Sequence, residues 1–434
     1  MNRVKKIGVL LGFLLSFSAW GGALKIEITQ GVSSAQPIAI IPFSTAQVVG
    51  DVWVDVAQII SDDLARSGRF KPLPRLDMLN KPSSATQVNF RNWQALGQDN
   101  LVVGKVLPAA NGRLTVQFQL FDVYKGEQLT GFSVPANSAS LRAAAHRISD
   151  LIYEKLTGQK GAFSTRIAYV TSAHGVNGQA EYKIQVADAD GFGAKTIVTS
   201  SEPVMSPAWS PRGDKLSYVS YEGRRSSIYT QTLRSGQREK LRSFKGINGA
   251  PAWSPDGSQL ALTLSKDGSA DIYVYNVISR SFRRLTRSYA IDTEPSWSPD
   301  GRQIIFTSDR GGKPQIYRIS ANGGKAARLT FEGTYNARAS YSPDGKNVTM
   351  VHRVNGQYRI ASLELATGFT NILSTGSLDE SPSYAPNGSM ILYSTSDGLK
   401  TILAAVSSDG KVRQKLRLQG GDVREPAWSP FKQY

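Results

Sequence analysis

The sequence predicts an α/β N-terminal domain followed by an all-β six-bladed propeller, with four-stranded blades and a last blade closed by the C-terminal strand. Three features predict it. An aromatic pentapeptide recurs at a near-constant interval through the second half of the chain. The segment opening that half has strands but no pentapeptide, whereas the last pentapeptide has no strands after it. The first half mixes strand-like and helix-like apolar periods and does not repeat. The chain has 434 residues, 40% apolar and 20% charged, enough to bury a core and too apolar for wholesale disorder.

The elements follow in chain order. Arg3, Lys5 and Lys6 precede an apolar run at 7–17, and Gly21, Gly22 and Ala23 follow. This is the pattern of a secretory signal peptide over residues 1–23, cleaved near Ala23 and too short to span a bilayer. An exported, soluble product is expected. An α/β domain is expected over 24–160. Leu24–Thr29 alternates as a strand and 38–43 is a second apolar strand. Val52, Val56, Ile59, Ile60 and Leu64 follow helical spacing, with Asp51 placed to cap and Gly68 to stop. A short helix is expected at 90–96, a buried strand at 101–106 and an alternating strand at 114–121. Leu141, Ala145, Ile148, Ile152 and Leu156 form an amphipathic helix ended by Gly158, close to the boundary.

The propeller is expected over 164–434. Pro-Ala-Trp-Ser-Pro stands at 207–211, 251–255 and 426–430, with variants around Trp297, Tyr341 and Tyr384. The aromatics Trp209, Trp253, Trp297, Tyr341, Tyr384 and Trp428 are 44, 44, 44, 43 and 44 residues apart. In each unit a short strand ends at the aromatic and a tight turn such as Pro255-Asp256-Gly257 follows. Three more strands follow, for example 259–265, 271–277 and 283–286. Four strands per unit define a blade. Strands at 166–172, 183–190 and 195–200 lack a first strand, and the copy at Trp428 is a first strand alone. A ring in which the C-terminus completes the opening blade reconciles the two and removes exposed edges. The aromatics are expected to pack between blades, so truncating Trp253 to Ala should cost roughly 3–5 kcal/mol.

Composition narrows the chemistry. The chain has no Cys, which excludes disulfides, thiolate metal sites and cysteine nucleophiles, and its 3 His lie far apart. No Gly-x-Ser-x-Gly elbow and no phosphate-binding loop occurs. No catalytic residue, cofactor or metal is expected; rim carboxylates could take a calcium ion, but the spacing shows no loop built for one. The formal charge of +17 suggests nucleic acid, anionic lipid or an acidic partner. The cations are scattered, however, and export makes nucleic acid unsuitable, so a solvated basic surface is the plainer reading.

First strands are innermost in a propeller, so residues just before each aromatic ring the mouth: Ser206, Ala250, Thr293, Glu294, Arg338, Glu380, Arg424 and Glu425. Mixed charge at a concave mouth suits a peptide or protein loop; the plain alternative is a solvated polar rim.

The run Gly161-Ala162-Phe163-Ser164-Thr165-Arg166-Ile167-Ala168-Tyr169-Val170 resembles the domain junction of the TolB family, periplasmic components of the Tol–Pal system. Trp93-Gln94-Ala95-Leu96-Gly97 before Leu101-Val102-Val103-Gly104 resembles its N-terminal domain, and the pentapeptides resemble its propeller. The likeness covers essentially the whole chain. It implies a periplasmic, non-enzymatic adaptor that binds the lipoprotein Pal through the propeller mouth and TolA through the N-terminal region. It also implies support of outer-membrane integrity and of constriction during cell division, with colicin translocation peptides using the same mouth. Carried over by motif, the Pal-facing residues are Ile247, Asn248, Ala250, Thr293 and Glu294. Ile247 departs from the histidine that relatives often carry there. The segment Leu24, Lys25, Ile26, Glu27 and Ile28 resembles the family's switch, docked on the body or free to engage TolA. An ordinary first strand is the rival reading. The alternative functions are a propeller-type hydrolase and a cell-wall-binding module.

Overall fold

The computed structural model describes residues 25–31, 34–48, 54–174, 178–417 and 421–432. The expected leader, Leu24, Asp51 and Val52 lie outside the described residues. Among the described residues no helix is long and apolar enough to cross a membrane.

The N-terminal half contains β1 (Lys25–Gln30), β2 (Gln36–Ile40), α1 (Val56–Arg66), β3 (Phe70–Pro72), α2 (Phe90–Ala95), β4 (Asn100–Pro108), β5 (Leu114–Asp122), β6 (Glu127–Ala136) and α3 (Leu141–Thr157). Strands β2 to β6 form one sheet in the order β3-β2-β4-β5-β6, parallel from β3 to β4 and antiparallel from β4 to β6. Helices α1 and α3 cover one face, burying Ile60, Leu64, Ile148 and Ile152 against Ile38 and Val116. On the other face Trp93 of α2 packs on Ala39, Leu101 and Phe121. The cap of α1 is Asp55, whose carboxylate accepts the Gln58 N–H at 3.0 Å. A start at Val56 keeps Val56, Ile60 and Leu64 on one buried stripe. Helix α3 ends at Gly158, whose φ of 73° is the left-handed stop that glycine adopts without strain.

The expected first strand forms, but in the propeller and not in the α/β sheet. β1 pairs antiparallel with 413–417 as a fifth strand on the blade containing Glu380–Tyr384. That blade leaves its outer strand edge open, and Ile26 packs on the core beneath it.

The remaining strands form six four-stranded blades. Blade I begins at Val204–Trp209, II at Asn248–Trp253, III at Asp292–Trp297, IV at Asn336–Tyr341 and V at Glu380–Tyr384. Blade VI joins the C-terminal Asp422–Trp428 to Arg166–His174, Ala180–Asp188 and Lys195–Ser200. Trp428 faces Ile167 across this pairing, and Ser429 and Arg166 exchange hydrogen bonds at 2.8 and 2.9 Å. The ring is closed by the C-terminal strand.

Each letter of the pentapeptide has a structural task. The first Pro lies in a β-bulge of the inner strand, where no N–H is needed for the ladder. The aromatic reaches the neighbouring blade: Trp297 Nε1 donates to Ala252 O at 3.1 Å and Trp209 Nε1 to Ala427 O at 2.9 Å. The Ser hydroxyl ties the turn, as Ser254 does to Asp256 at 2.6 Å and to the Gln259 N–H at 2.9 Å. The last Pro meets the turn glycine of the next blade: Pro211 meets Gly257, Pro255 meets Gly301, Pro299 meets Gly345 and Pro430 meets Gly213. Blade V departs from the motif with Tyr384-Ala385-Pro386-Asn387, and here the α/β domain docks. Gln159 Nε2 donates to Asn387 O at 2.6 Å, and Asn387 Nδ2 to Lys160 O at 2.8 Å.

A buried ionic cluster completes the interface. Asp63 of α1 stands in an ion pair with Arg66 at 2.9 Å and pairs with His146 Nδ1 at 2.7 Å. Arg142 pairs with Asp190, on the loop between the last two strands of blade VI. Burial pushes the Asp63 carboxyl up, but Arg66 and His146 outweigh it and hold the group below its ordinary 3.8.

Trp297→Ala should destabilise the protein by about 3–5 kcal/mol in urea denaturation, through lost packing and an orphaned carbonyl. Trp253, only partly buried and with no partner for its indole N–H among the described residues, should cost less when truncated. Asp63→Asn should cost about 3 kcal/mol at neutral pH, because Arg66 loses its buried counter-charge and His146 its hydrogen-bond partner. A carboxyl held low stabilises the fold above its unfolded pKa and stops doing so as pH falls through the folded one. The difference between wild type and Asp63→Asn should therefore persist at neutral pH and shrink only below about pH 4.

Candidate functional site

Every inner strand runs the same way through the ring. The loops that enter the inner strands therefore share one face with the turns between second and third strands. The Asp-Gly turns lie on the other face, with the docked α/β domain.

At the mouth, each inner strand holds one non-glycine residue in the left-handed region. These are Ser206, Ala250, Glu294, Arg338, Ser381 and Glu425, at φ of 53°, 46°, 56°, 53°, 56° and 47°. Each lies three positions before its aromatic, inside the bulge. The six line a cavity of about 220 Å³. Left-handed geometry is unfavourable for residues with a Cβ, so the ring stores backbone strain where it narrows.

Charge holds the ring together. Arg338 donates from Nε to Glu294 at 2.8 Å and stands 3.6 Å from Glu425. Its backbone N–H also donates to Glu294, at 3.0 Å, and its guanidinium reaches the Ser381 hydroxyl. Glu294 accepts further from Thr307 Oγ1 at 2.9 Å, and Glu425 accepts the Ser206 N–H. Burial lowers the Arg338 pKa, but Glu294, Glu425 and Glu380 more than offset this and raise it above its ordinary value. One guanidinium thus serves two ring carboxylates, and a polar, hydrogen-bonding floor results.

The structure brings Ser206, Ala250, Glu294, Arg338 and Glu425 together at this floor. Thr293, Glu380 and Arg424 each stand one residue earlier; Thr293 lies 3.3 Å from Thr263 Oγ1, and Arg424 pairs with Asp422 at 3.2 Å. Ser381 takes the ring position of blade V, and the three-residue offset from Tyr384 is the signal that finds it. Ile247 is half exposed beside the mouth.

Asn248 is buried. Its side chain closes the loop at 244–248, accepting the Phe244 N–H at 2.9 Å and donating to Phe244 O at 2.8 Å and Gly246 O at 3.1 Å. Asp292, Asn336 and Asp379 are buried at the same offset, five residues before the aromatic. Asp292 holds Arg310 at 2.6 Å, Asn336 donates to Glu332 O at 2.8 Å and Asp379 accepts the Gly376 N–H at 3.1 Å. Sequence reasoning missed these loop clamps, although a repeated Asn/Asp at one offset marks them. It also missed an apolar collar on the same loops: Ile247, Tyr289, Ile291, Phe331 and Leu378 are exposed around the mouth.

Among the described residues, the group with metal-ligand donors is Asp63, His146 and Asp190. Arg66 and Arg142 already engage its carboxylates, which suits an ionic joint better than a cation site.

Fold and site define a two-domain propeller protein with a preorganised, polar-floored and apolar-rimmed mouth. A family model for the TolB beta propeller domain matches residues 153–432, and one for the TolB amino-terminal domain matches 24–129. The chain is 61% identical over 98% of both chains to a Tol-Pal system protein TolB from Nitrosococcus oceani. It is 60% identical over 99% of both chains to that of Thioalkalivibrio sulfidiphilus. The crystal structure of TolB from Acinetobacter baumannii superposes with a TM-score of 0.87 at 42% identity, covering 94% of this chain and all of that one. The chain belongs to the TolB family of Tol–Pal system proteins.

Ala250→Gly removes a Cβ from a left-handed position. It should stabilise the protein by about 1 kcal/mol or leave it neutral, the relief of strain being offset by unfolded-chain entropy. Val204→Gly, in the same kind of strand at ordinary φ, should destabilise in the same urea titration.

Proposed function

We infer that the protein is a periplasmic, non-enzymatic adaptor of the Tol–Pal system. The mouth face docks the lipoprotein Pal, and the N-terminal strand engages TolA. In this reading it supports outer-membrane integrity and constriction at division, and colicin translocation peptides compete for the same mouth. Family membership supports the system. The observation that carries the mouth reading is the apolar collar of Ile247, Tyr289, Ile291, Phe331 and Leu378. It stands on clamped loops around the charged ring, on the face away from the docked domain. Exposed apolar residues around a rigid concave floor suit a folded partner that inserts a loop, since little ordering is needed on this side.

The switch reading of 24–28 rests on how little holds β1. One ladder joins it to 413–417, Ile28 is 43% exposed, and Glu27 stands 3.9 Å from Arg417. An edge strand held this weakly opens at low cost compared with the blade beneath it.

Glu294→Lys places a cation against Arg338 in the ring. A pull-down of the soluble Pal domain should weaken at least tenfold while circular dichroism still reports a folded propeller. Undiminished recovery by the folded variant would sink the mouth as the docking site. For the strand, Ile26→Asp should free β1, raise tryptic cleavage at Lys25 and strengthen capture of the TolA periplasmic domain. If cleavage rises and capture does not, the strand is not the TolA element.

A further inference from the structure

The cations that look scattered along the chain gather in one sector of the mouth face. Arg224 and Arg225 lie in the turn between Lys215–Ser220 and Ser227–Thr232 of blade I. Arg242 and Lys245 lie in the loop from blade I to blade II, and Arg287 in the loop from II to III. All five are exposed, and among the described residues none is within ion-pair distance of a carboxylate. Two acids of the sector are already engaged, Glu222 with Arg238 at 2.9 Å and Asp267 with Lys266 at 2.6 Å, and Glu202 stands exposed on the neighbouring entry loop.

The backbone that carries these cations is pinned. Arg224 is a left-handed residue at φ 60°, its N–H bonded to Tyr221 O at 2.9 Å. Asn248 clamps the loop that carries Lys245, and the Ile247 N–H donates to Ser265 Oγ at 2.7 Å. The loop carrying Arg287 is pinned by the Ser288 N–H to Asp271 at 3.2 Å and the Ile291 N–H to Asp309 at 2.8 Å. Ile247, Tyr289 and Ile291 stand among them. The sector therefore presents positive charge, carried on pinned loops, interleaved with apolar surface.

We propose that this sector recognises an acidic surface of the protein partner docked at the mouth, and steers its approach. The inference rests on the docking reading above and adds the partner's chemistry: carboxylates facing Arg224, Arg225, Arg242, Lys245 and Arg287, flanking apolar side chains that cover the collar. Charge complementarity argues for an acidic occupant. The concave floor argues for a protein over a bilayer, because a flat surface resting on the rim loops leaves the floor unfilled. Uncompensated rim charge acts chiefly on the association rate and its salt dependence.

The test is stopped-flow association with the soluble Pal domain between about 20 mM and about 300 mM salt, a span over which screening rises steeply. The wild-type rate should fall about tenfold across that range. Arg224→Glu/Arg225→Glu and Arg242→Glu/Lys245→Glu should each lower the low-salt rate about tenfold, with dissociation within about twofold of wild type. Arg234→Glu/Lys325→Glu, on the opposite face, should change neither. Binding that is salt-insensitive and indifferent to both mouth variants overturns the inference and leaves the docking reading standing. If the wild-type protein does not bind that domain, the docking reading falls, and a fluorescent glutamate-rich decapeptide decides. Salt-sensitive capture lost in both variants upholds an acidic ligand; no capture ends it. Phosphatidylglycerol vesicles that sediment wild type but neither mouth variant would assign the sector to a membrane and overturn it.

Discussion

The pairing of Asp422–Trp428 with Arg166–His174 joins parts of the chain some 260 residues apart, and the rest of the propeller depends on it. Five of the six blade boundaries share a proline set against the next turn glycine, and at two of them a tryptophan, Trp209 or Trp297, also reaches back to a carbonyl of the previous blade. Such contacts are local and repeat around the ring. An open row of the same blades would leave two edges and one aromatic without a neighbour. With the ring closed, Trp428 donates to Thr165 at 2.8 Å, just ahead of the opening strand, and Pro430 meets Gly213 of blade I. The inner strands then have a fixed distance from the axis, which allows six bulges to converge on one small cavity.

Function is built on that rigidity. A bulge with a left-handed, non-glycine residue is locally unfavourable, and it persists because the two flanking strands and the neighbouring blades over-determine it. Its effect is to turn Glu294, Arg338 and Glu425 toward one another instead of along the ladder. The buried Asn248, Asn336 and Asp379 do the corresponding work one layer out, spending hydrogen bonds on the loops that carry exposed apolar residues, while Asp292 holds Arg310 in the adjacent turn. Floor, collar and basic sector are thus consecutive layers of one rigid face. The domain interface sits on the far face and at the ring's side, where blade V gives up the pentapeptide pattern to contact Gln159 and Lys160. β1 lies along the edge of that same blade, and Ile26 and Ile28 share a pocket wall with Asp63 and Arg142 of the ionic joint. β1 thus borders the joint between domains.

What the sequence determined by itself is what local chemistry and repetition encode. Period and turn residues specify blade number, strand order and even the closing strand, because each blade repeats one local solution. The helix stop at Gly158 and the buried faces of α1 and α3 follow from spacing alone, and the rim residues Ser206, Glu294, Arg338 and Glu425 follow from their offset to the aromatics. Tertiary structure decided what depends on contacts between distant segments. The alternation of 24–29 describes a strand but not its partner; only the free edge at 413–417 decides that it joins blade V. Asn248 reads as a contact residue until its burial shows that it holds a loop. Arg224, Arg242 and Arg287 are dispersed along the chain, and become one charged sector only when consecutive blades stack with their entry loops and second-to-third-strand turns on a single face. Periodicity carries local geometry, whereas the meeting of remote side chains is set by the ring as a whole.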